Sequence, residues 1–426
     1  MKQAAALIRE LKDGQHDRTL AELYRVSGEE LSRQIERYVK AVESYVSLHG
    51  EEAVSVYSAP GRSEIGGNHT DHQHGAVLAA AIDLDTIAVV GKQQANTIEI
   101  TSEGYRPISV DLGEIDKTGP EGTTLALVKG VAKGFQDRGF RIGPFKAYVT
   151  SNVLNGAGLS SSAAFEALIG AVFSGMYNEG EISAVDIALI GQYAENVYFG
   201  KPCGLMDQMA CSVGSLVAID FRDPSKAEME KITFDIEESG YALCIIDTKG
   251  SHADLTDDYA AIPAEMKAVA RALGKEVLRE VPADEFYANI GSIRETCGDR
   301  AVLRAIHFFE ENQRAIDEAA ALKAGSMENF LKLYAQSAKS SFEYLQNIYS
   351  VKNLQNQAVA VALAVSEHIL GGNGLSRVHG GGFAGTIQTF VKKEFAEEYK
   401  ARMEAILGRG TCHMLRIRPC GGIQVI

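Results

Sequence analysis

The sequence lacks most of the devices that mark a secreted, membrane-spanning or nucleic-acid-binding chain. Its six cysteines (Cys203, Cys211, Cys244, Cys297, Cys412 and Cys420) form neither a C-x-x-C pair nor the dense spacing of a disulfide framework, so they are read as reduced thiols. No stretch approaches the ~18 apolar residues a membrane span needs. Met1 to Gly14 carries Arg9, Glu10, Lys12 and Asp13 where a signal peptide would have an apolar core. No run of lysines and arginines offsets the net charge of -14, which disfavours polyanions. Internal repeats, low-complexity tracts and long linkers are missing too. These absences predict a cytoplasmic protein whose partners are small molecules rather than nucleic acid or membrane.

What is present is apolar material for more than one core. With 426 residues, 46% of them hydrophobic, two lobes are expected. Residues 1 to 50 are predicted helical: Ser27 and Glu30 have capping-box spacing, and Leu31, Ile35, Val39, Val42 and Val46 recur at helical intervals up to Gly50. From Ala53 to about Thr150, runs such as Val54 to Tyr57 and Thr86 to Val90 predict strands around one glycine-rich loop. Gly158 to Tyr177 is expected to begin as a Gly/Ser turn and continue as a helix, and a second helix is expected from a cap at Ser183 to Tyr198. The Arg222-Asp223-Pro224-Ser225 loop gives a division into residues 1–50, 51–225 and 226–426.

Three segments carry chemistry. Asn155-Gly156-Ala157-Gly158-Leu159-Ser160-Ser161-Ser162 opens into an apolar helix, which suits an anion: glycines allow close backbone approach, and the helix N-terminus supplies positive potential. No lysine follows, so it is not a Walker A loop, and the full G-x-G-x-x-G is missing; a serine-rich helix cap would look the same. Ala59 to Gly75 (A-P-G-R-S-E-I-G-G-N-H-T-D-H-Q-H-G) is read as a polar loop between apolar strands, able to bind a hydroxyl-rich ligand. His69, Asp71, His72 and His74 are also metal-ligand types, though an exposed polar loop is the commoner outcome. Arg377 to Thr386 contains Gly380-Gly381-Gly382, whose close approach could serve a phosphate or another chain segment.

In this order the three segments resemble the signature motifs of the GHMP kinases, and the chain is most similar to the galactokinase family. The polar segment looks like that family's G-R-V-N-L-I-G-E-H-T-D-Y signature, and Pro202-Cys203-Gly204-Leu205-Met206-Asp207-Gln208 resembles P-C-G-I-M-D-Q. The resemblance implies a two-lobed α/β (α+β) fold. Its N-terminal lobe would hold a mixed sheet and the phosphate-binding loop and helix, its C-terminal lobe would be helix-rich, and the active site would lie between them.

It also implies roles. Asp207 would be the base that accepts the proton of the sugar C1 hydroxyl, with Arg62 beside it. Ser162 and Glu195 would hold Mg²⁺, and Gly156, Ala157, Gly158, Leu159, Ser160, Ser161 and Ser162 would cradle the phosphates of ATP. His69, Asp71, Gly204 and Tyr259 would contact the sugar. Asn68 stands where galactokinases carry a glutamate facing the C6 hydroxyl, and an amide carries no charge that would repel a carboxylate. Together with His72-Gln73, that departure makes a C6-modified sugar such as galacturonate the alternative to galactose. His379, Ala384 and Ser251 are further departures. A non-catalytic sugar sensor on the same fold is the third reading.

Overall fold

Apolar residues at helical spacing in the first fifty positions build three helices, α1 (Ala4–Lys12), α2 (Asp17–Tyr24) and α3 (Gly28–His49), after a two-residue strand β1 (Lys2–Gln3). The computed structural model describes residues 1–154, 158–201, 203–223, 226–251 and 255–426. Ser27 is the N-cap of α3, but its side chain makes no capping hydrogen bond. The expected capping box does not close, because Glu30 turns to Arg416, whose Nη2 lies 2.9 Å from Glu30 Oε2.

The first sheet has nine strands. After β1 come β2 (Ala53–Gly66), β3 (Ala76–Lys92), β4 (Thr97–Ser102), β5 (Ile108–Asp111), β6 (Phe145–Ser151), β7 (Leu216–Asp220) and β8 (Glu228–Ile232). The 17-residue β3 pairs with β2 along its length, with β6 at one end and with β7 at the other; β4 runs parallel to β6 and the rest is antiparallel, so the sheet is mixed. Helices α4 (Thr124–Asp137), α5 (Ser161–Tyr177), α6 (Ala184–Tyr193) and α7 (Met206–Val213) belong to this part of the chain.

Period-2 alternation divides the sheet between two cores. Val54, Val56, Ile87 and Val89 face Leu7, Leu11, Leu20, Tyr38 and Val42 of the N-terminal helices. Tyr57, Ala59, Ala88 and Val90 face the core that includes Leu168 and Val172 of α5. Residues 1 to 50 therefore cover one face of the sheet. A buried cluster fastens them: Asp85 Oδ2 accepts from Tyr24 at 2.6 Å and from Arg418 Nη1 at 3.0 Å, while Arg37 pairs with Oδ1.

The second sheet has the order β10-β11-β9-β12, from β9 (Tyr241–Asp247), β10 (Gly374–Val378), β11 (Thr386–Lys392) and β12 (Cys412–Leu415). Around it lie α8 (Thr256–Ala272), the short α9 (Ala283–Ala288) and α10 (Ile290–Cys297), the 25-residue α11 (Asp299–Lys323), α12 (Met327–Ser340), α13 (Ala358–Leu370) and α14 (Ala396–Leu407). A last strand, β13 (Ile423–Gln424), returns to pair with β2.

Two expectations need correction. The polar segment from Ala59 is not a loop until Gly67: β2 continues to Gly66, with Arg62, Ser63 and Glu64 opposite Ala81, Ala80 and Ala79. The alanine methyls leave room for long side chains, and ion pairs to Asp207 and Arg377 replace water around Arg62 and Glu64. The division at 225/226 also falls too early, since β8 pairs with β7 in the first sheet and Ile423–Gln424 rejoins it.

Candidate active site

The end of β2 and the start of α5 meet through Arg62. Its backbone N–H donates to Leu159 O at 3.1 Å, its Nη1 donates to Gly158 O, and its Nε donates to Asp207 Oδ1 at 2.7 Å. Gly61 permits this approach, because a Cβ there would lie 2.8 Å from Leu159 O. Gly158 and Ser160 both adopt left-handed φ angles, which turn the chain into α5 and aim the Ser160 hydroxyl at Asp207 Oδ2. Gly156 and Ala157 lie outside the described residues.

Burial alone would raise the Asp207 carboxyl. The Arg62 charge and hydrogen bond, with the Ser160 hydroxyl, outweigh it and hold the group below the usual carboxylate range. The side chain is still 31% exposed, so the ionised oxygens remain open to a substrate.

Beside this pair stands an oxygen-rich cluster. The π turn Ala194–Phe199 after α6 carries Glu195. Its Oε1 accepts from Ser162 at 3.2 Å and pairs with Lys201 Nζ at 2.9 Å, and its Oε2 accepts from Gln208 Nε2 at 2.7 Å. Gln208 also donates to Glu166 Oε2 at 3.1 Å. Burial, and then the Glu195 charge, push the Glu166 carboxyl well up, and its Oε1 is buried without a hydrogen-bond partner among the described residues. Hydroxyl and carboxylate oxygens in this number fit Mg²⁺, which takes one or two protein ligands and leaves the rest to phosphate and water.

The loop Gly67 to Gly75 forms a second wall. Asp71 lies against Gly204, where a Cβ would come within 2.4 Å of Asp71 Oδ2, and both line a cleft with His72, His74, Gln192 and Phe221. His69 Nε2 lies 3.1 Å from Gly381 O; a carbonyl only accepts, so the neutral His69 ring is the Nε2–H tautomer, and its Nδ1 lone pair has no hydrogen-bond partner among the described residues. Burial, and then His72, lower the ring to about 4. The four candidate ligands of this loop do not assemble around a point: among the described residues no three His, Cys, Asp or Glu side chains converge as a metal set.

The glycine run approaches this loop, a chain segment. Gly380 O accepts from Asn68 Nδ2 at 2.7 Å and Gly382 O from the Tyr259 hydroxyl at 2.8 Å. Tyr259 thus packs on the turn beside Phe383, with ring centroids 5.4 Å apart. Asn68 is fully buried. Its Nδ2 also donates to Glu64 Oε1 at 2.8 Å and its Oδ1 accepts from Asn347 Nδ2 at 2.9 Å, so its hydrogen-bonding groups are engaged within the protein rather than open to a sugar. His379 Nε2 accepts from Glu64 N at 3.3 Å, joining the same contact between lobes.

Several site residues escaped the sequence reading. Lys201 precedes the P-C-G-L-M-D-Q segment, Gln208 ends it and Glu166 follows the serine run, but nothing in their spacing announces that they meet at Glu195. A pocket beside Ser161 and Ser162, lined by Tyr105, Leu127, Val149, Val153 and Phe165, is drawn from separate elements and has no linear motif.

The chain matches the sequence model of the galactokinase galactose-binding signature over residues 43–92 and that of the GHMP kinase N-terminal domain over residues 126–215. It is 31% identical over 350 residues to a galactokinase of Thermotoga petrophila, covering 80% of this chain and 93% of that one. A galactokinase of Streptomyces coelicolor is 29% identical over 356 residues, covering 82% and 88%. Among solved structures, Lactococcus lactis galactokinase complexed with galactose superposes with a TM-score of 0.76 at 23% identity, over 90% of this chain and 98% of that one. Methanococcus jannaschii mevalonate kinase gives 0.60 at 18% identity, over 86% and 98%. The fold is that of the GHMP kinases. Within that class the chain belongs to the galactokinase family, whose members are ATP-dependent sugar kinases.

Proposed function

We propose that this protein transfers the γ-phosphoryl group of ATP to the C1 hydroxyl of D-galactose, giving galactose 1-phosphate and ADP. The observation that carries the reading is the Asp207 carboxylate, held ionised by Arg62 at 2.7 Å and by Ser160 of the phosphate loop, yet still partly exposed. Asp207 accepts the C1 hydroxyl proton as the sugar oxygen bonds to the γ-phosphorus, and the bond from phosphorus to the β–γ bridging oxygen breaks to release ADP. Arg62 keeps the base charged and in place. The Asp71 carboxylate accepts hydrogen bonds from sugar hydroxyls, and the His69 Nδ1 lone pair accepts one more. The helix start Ser160 to Ser162 receives the phosphates, and the apolar pocket of Leu127, Val149, Val153 and Phe165 takes the nucleobase. Ser162 and Glu195 would hold Mg²⁺, which supplies charge neutralisation at the phosphates when bound.

Magnesium-dependent ADP release with galactose, galacturonate, glucuronate, N-acetylgalactosamine and arabinose tests this, with Asp207→Ala as the inactive control. Galactose is expected to turn over fastest. A uronate preferred over galactose would replace the substrate, and sugar binding without ADP release on any of the five would replace the kinase with a sensor.

A further inference from the structure

Lys201 belongs to none of the signature motifs, yet its ammonium bonds to the oxygen cluster. Nζ is 2.9 Å from Glu195 Oε1, the oxygen that also accepts the Ser162 hydroxyl. The backbone fixes this meeting: Lys201 N donates to Glu195 O at 3.1 Å across the π turn, and Gly200 with φ +82° reverses the chain between them. The two side chains differ in environment. Glu195 is 2% exposed and adjoins the buried Glu166, whereas Lys201 is 61% exposed on a flexible stem. A surface ion pair has two exposed partners and little consequence. Here a buried carboxylate has one bonded cation among the described residues, and that cation is free to leave.

We propose that Lys201 is the resident counter-cation of Glu195, a positioning residue whose ammonium must leave Oε1 before that oxygen can take a divalent cation. The inference rests on the reading of Ser162 and Glu195 as the metal-holding pair. Charge explains the arrangement. Without nucleotide, the ammonium compensates the buried carboxylate, and a bare dication would have to displace it while adding excess positive charge. Nucleotide phosphates bring the negative charge that makes the exchange favourable. The site therefore resists the free ion and accepts the metal–nucleotide complex.

Mn²⁺ binding to the full chain, followed by electron paramagnetic resonance of the free ion without nucleotide, reads this directly. Lys201→Met is expected to bind Mn²⁺ about tenfold more tightly than wild type, the equivalent of one lost charge-assisted competitor. Lys201→Arg, which keeps the charge, should stay near wild type, and the gain in Lys201→Met should shrink when ADP is added. Mn²⁺ affinity in Lys201→Met equal to or weaker than wild type would overturn the proposal, provided Glu195→Gln in that background still abolishes binding. If Glu195→Gln leaves Mn²⁺ binding intact, the metal role of Glu195 falls, and the proposal with it.

Discussion

Arg62 on β2 and Asp207 on α7 lie 145 positions apart in sequence, yet Nε and Oδ1 are 2.7 Å apart, and the same guanidinium holds Gly158 of the phosphate loop. One side chain thus aligns the proposed base with the loop that receives the phosphates. Removing it should be felt in chemistry more than in binding.

The pH profile tests this pairing. Asp207 is held below the usual carboxylate range, so the wild-type acidic limb of kcat/KM should lie lower than an ordinary aspartate would place it. Arg62→Met is expected to move that limb up by about one pH unit or more. A carboxyl whose folded value is lowered stabilises the fold above its unfolded value and loses that contribution as pH falls through the folded one, so Arg62→Met should also flatten the acid loss of stability. Asp207→Asn should lower kcat about a thousandfold.

Gly204 is expected to tolerate no side chain. An alanine Cβ would sit 2.4 Å from Asp71 Oδ2 and push the carboxylate out of the cleft. Steady-state kinetics should show the KM for galactose raised about tenfold or more, with the KM for ATP unchanged.

Asn68→Glu restores the residue usual in galactokinases, but here it should destabilise the protein. The amide donates to Glu64 Oε1 and Gly380 O, whereas a glutamate would set a second carboxylate against Glu64 in a fully buried position. Urea denaturation is expected to show a loss of about 3 kcal/mol. Unchanged stability with altered sugar preference would return Asn68 to the sugar site.

Asp85 should decide whether the N-terminal helices stay attached. Asp85→Ala leaves Arg418 buried without its carboxylate, and Tyr24 and Arg37 lose their anchor. The expected cost is about 3–5 kcal/mol, with new protease cleavage within residues 1–50.

Much of this was legible because the relevant physics is local. The helical spacing from Leu31 to Val46, the Ser183 cap and the serine run before α5 each act within a few residues, and each predicted the element found. Arg62 and Glu64 misled because their polarity imitates a loop. Their partners lie 145 and 313 positions away, so the sequence near them carries no sign of burial. Asn68 misled in the other direction: alignment with the family assigned it to the sugar, while Glu64, Gly380 and Asn347 engage its amide. The pocket of Tyr105, Leu127 and Phe165 needs β6, α4 and α5 to be assembled before it exists at all.

Strand β2 takes β1 and β13 along one edge, from positions 2–3 and 423–424. The β1 pairing is close in sequence, but Tyr57 and Gln424 are 367 positions apart, and such contacts close slowly because loop entropy must be overcome before the pairing is rewarded. The strand that carries Arg62 is therefore expected to gain its last neighbour late on the folding path, after the more local helices.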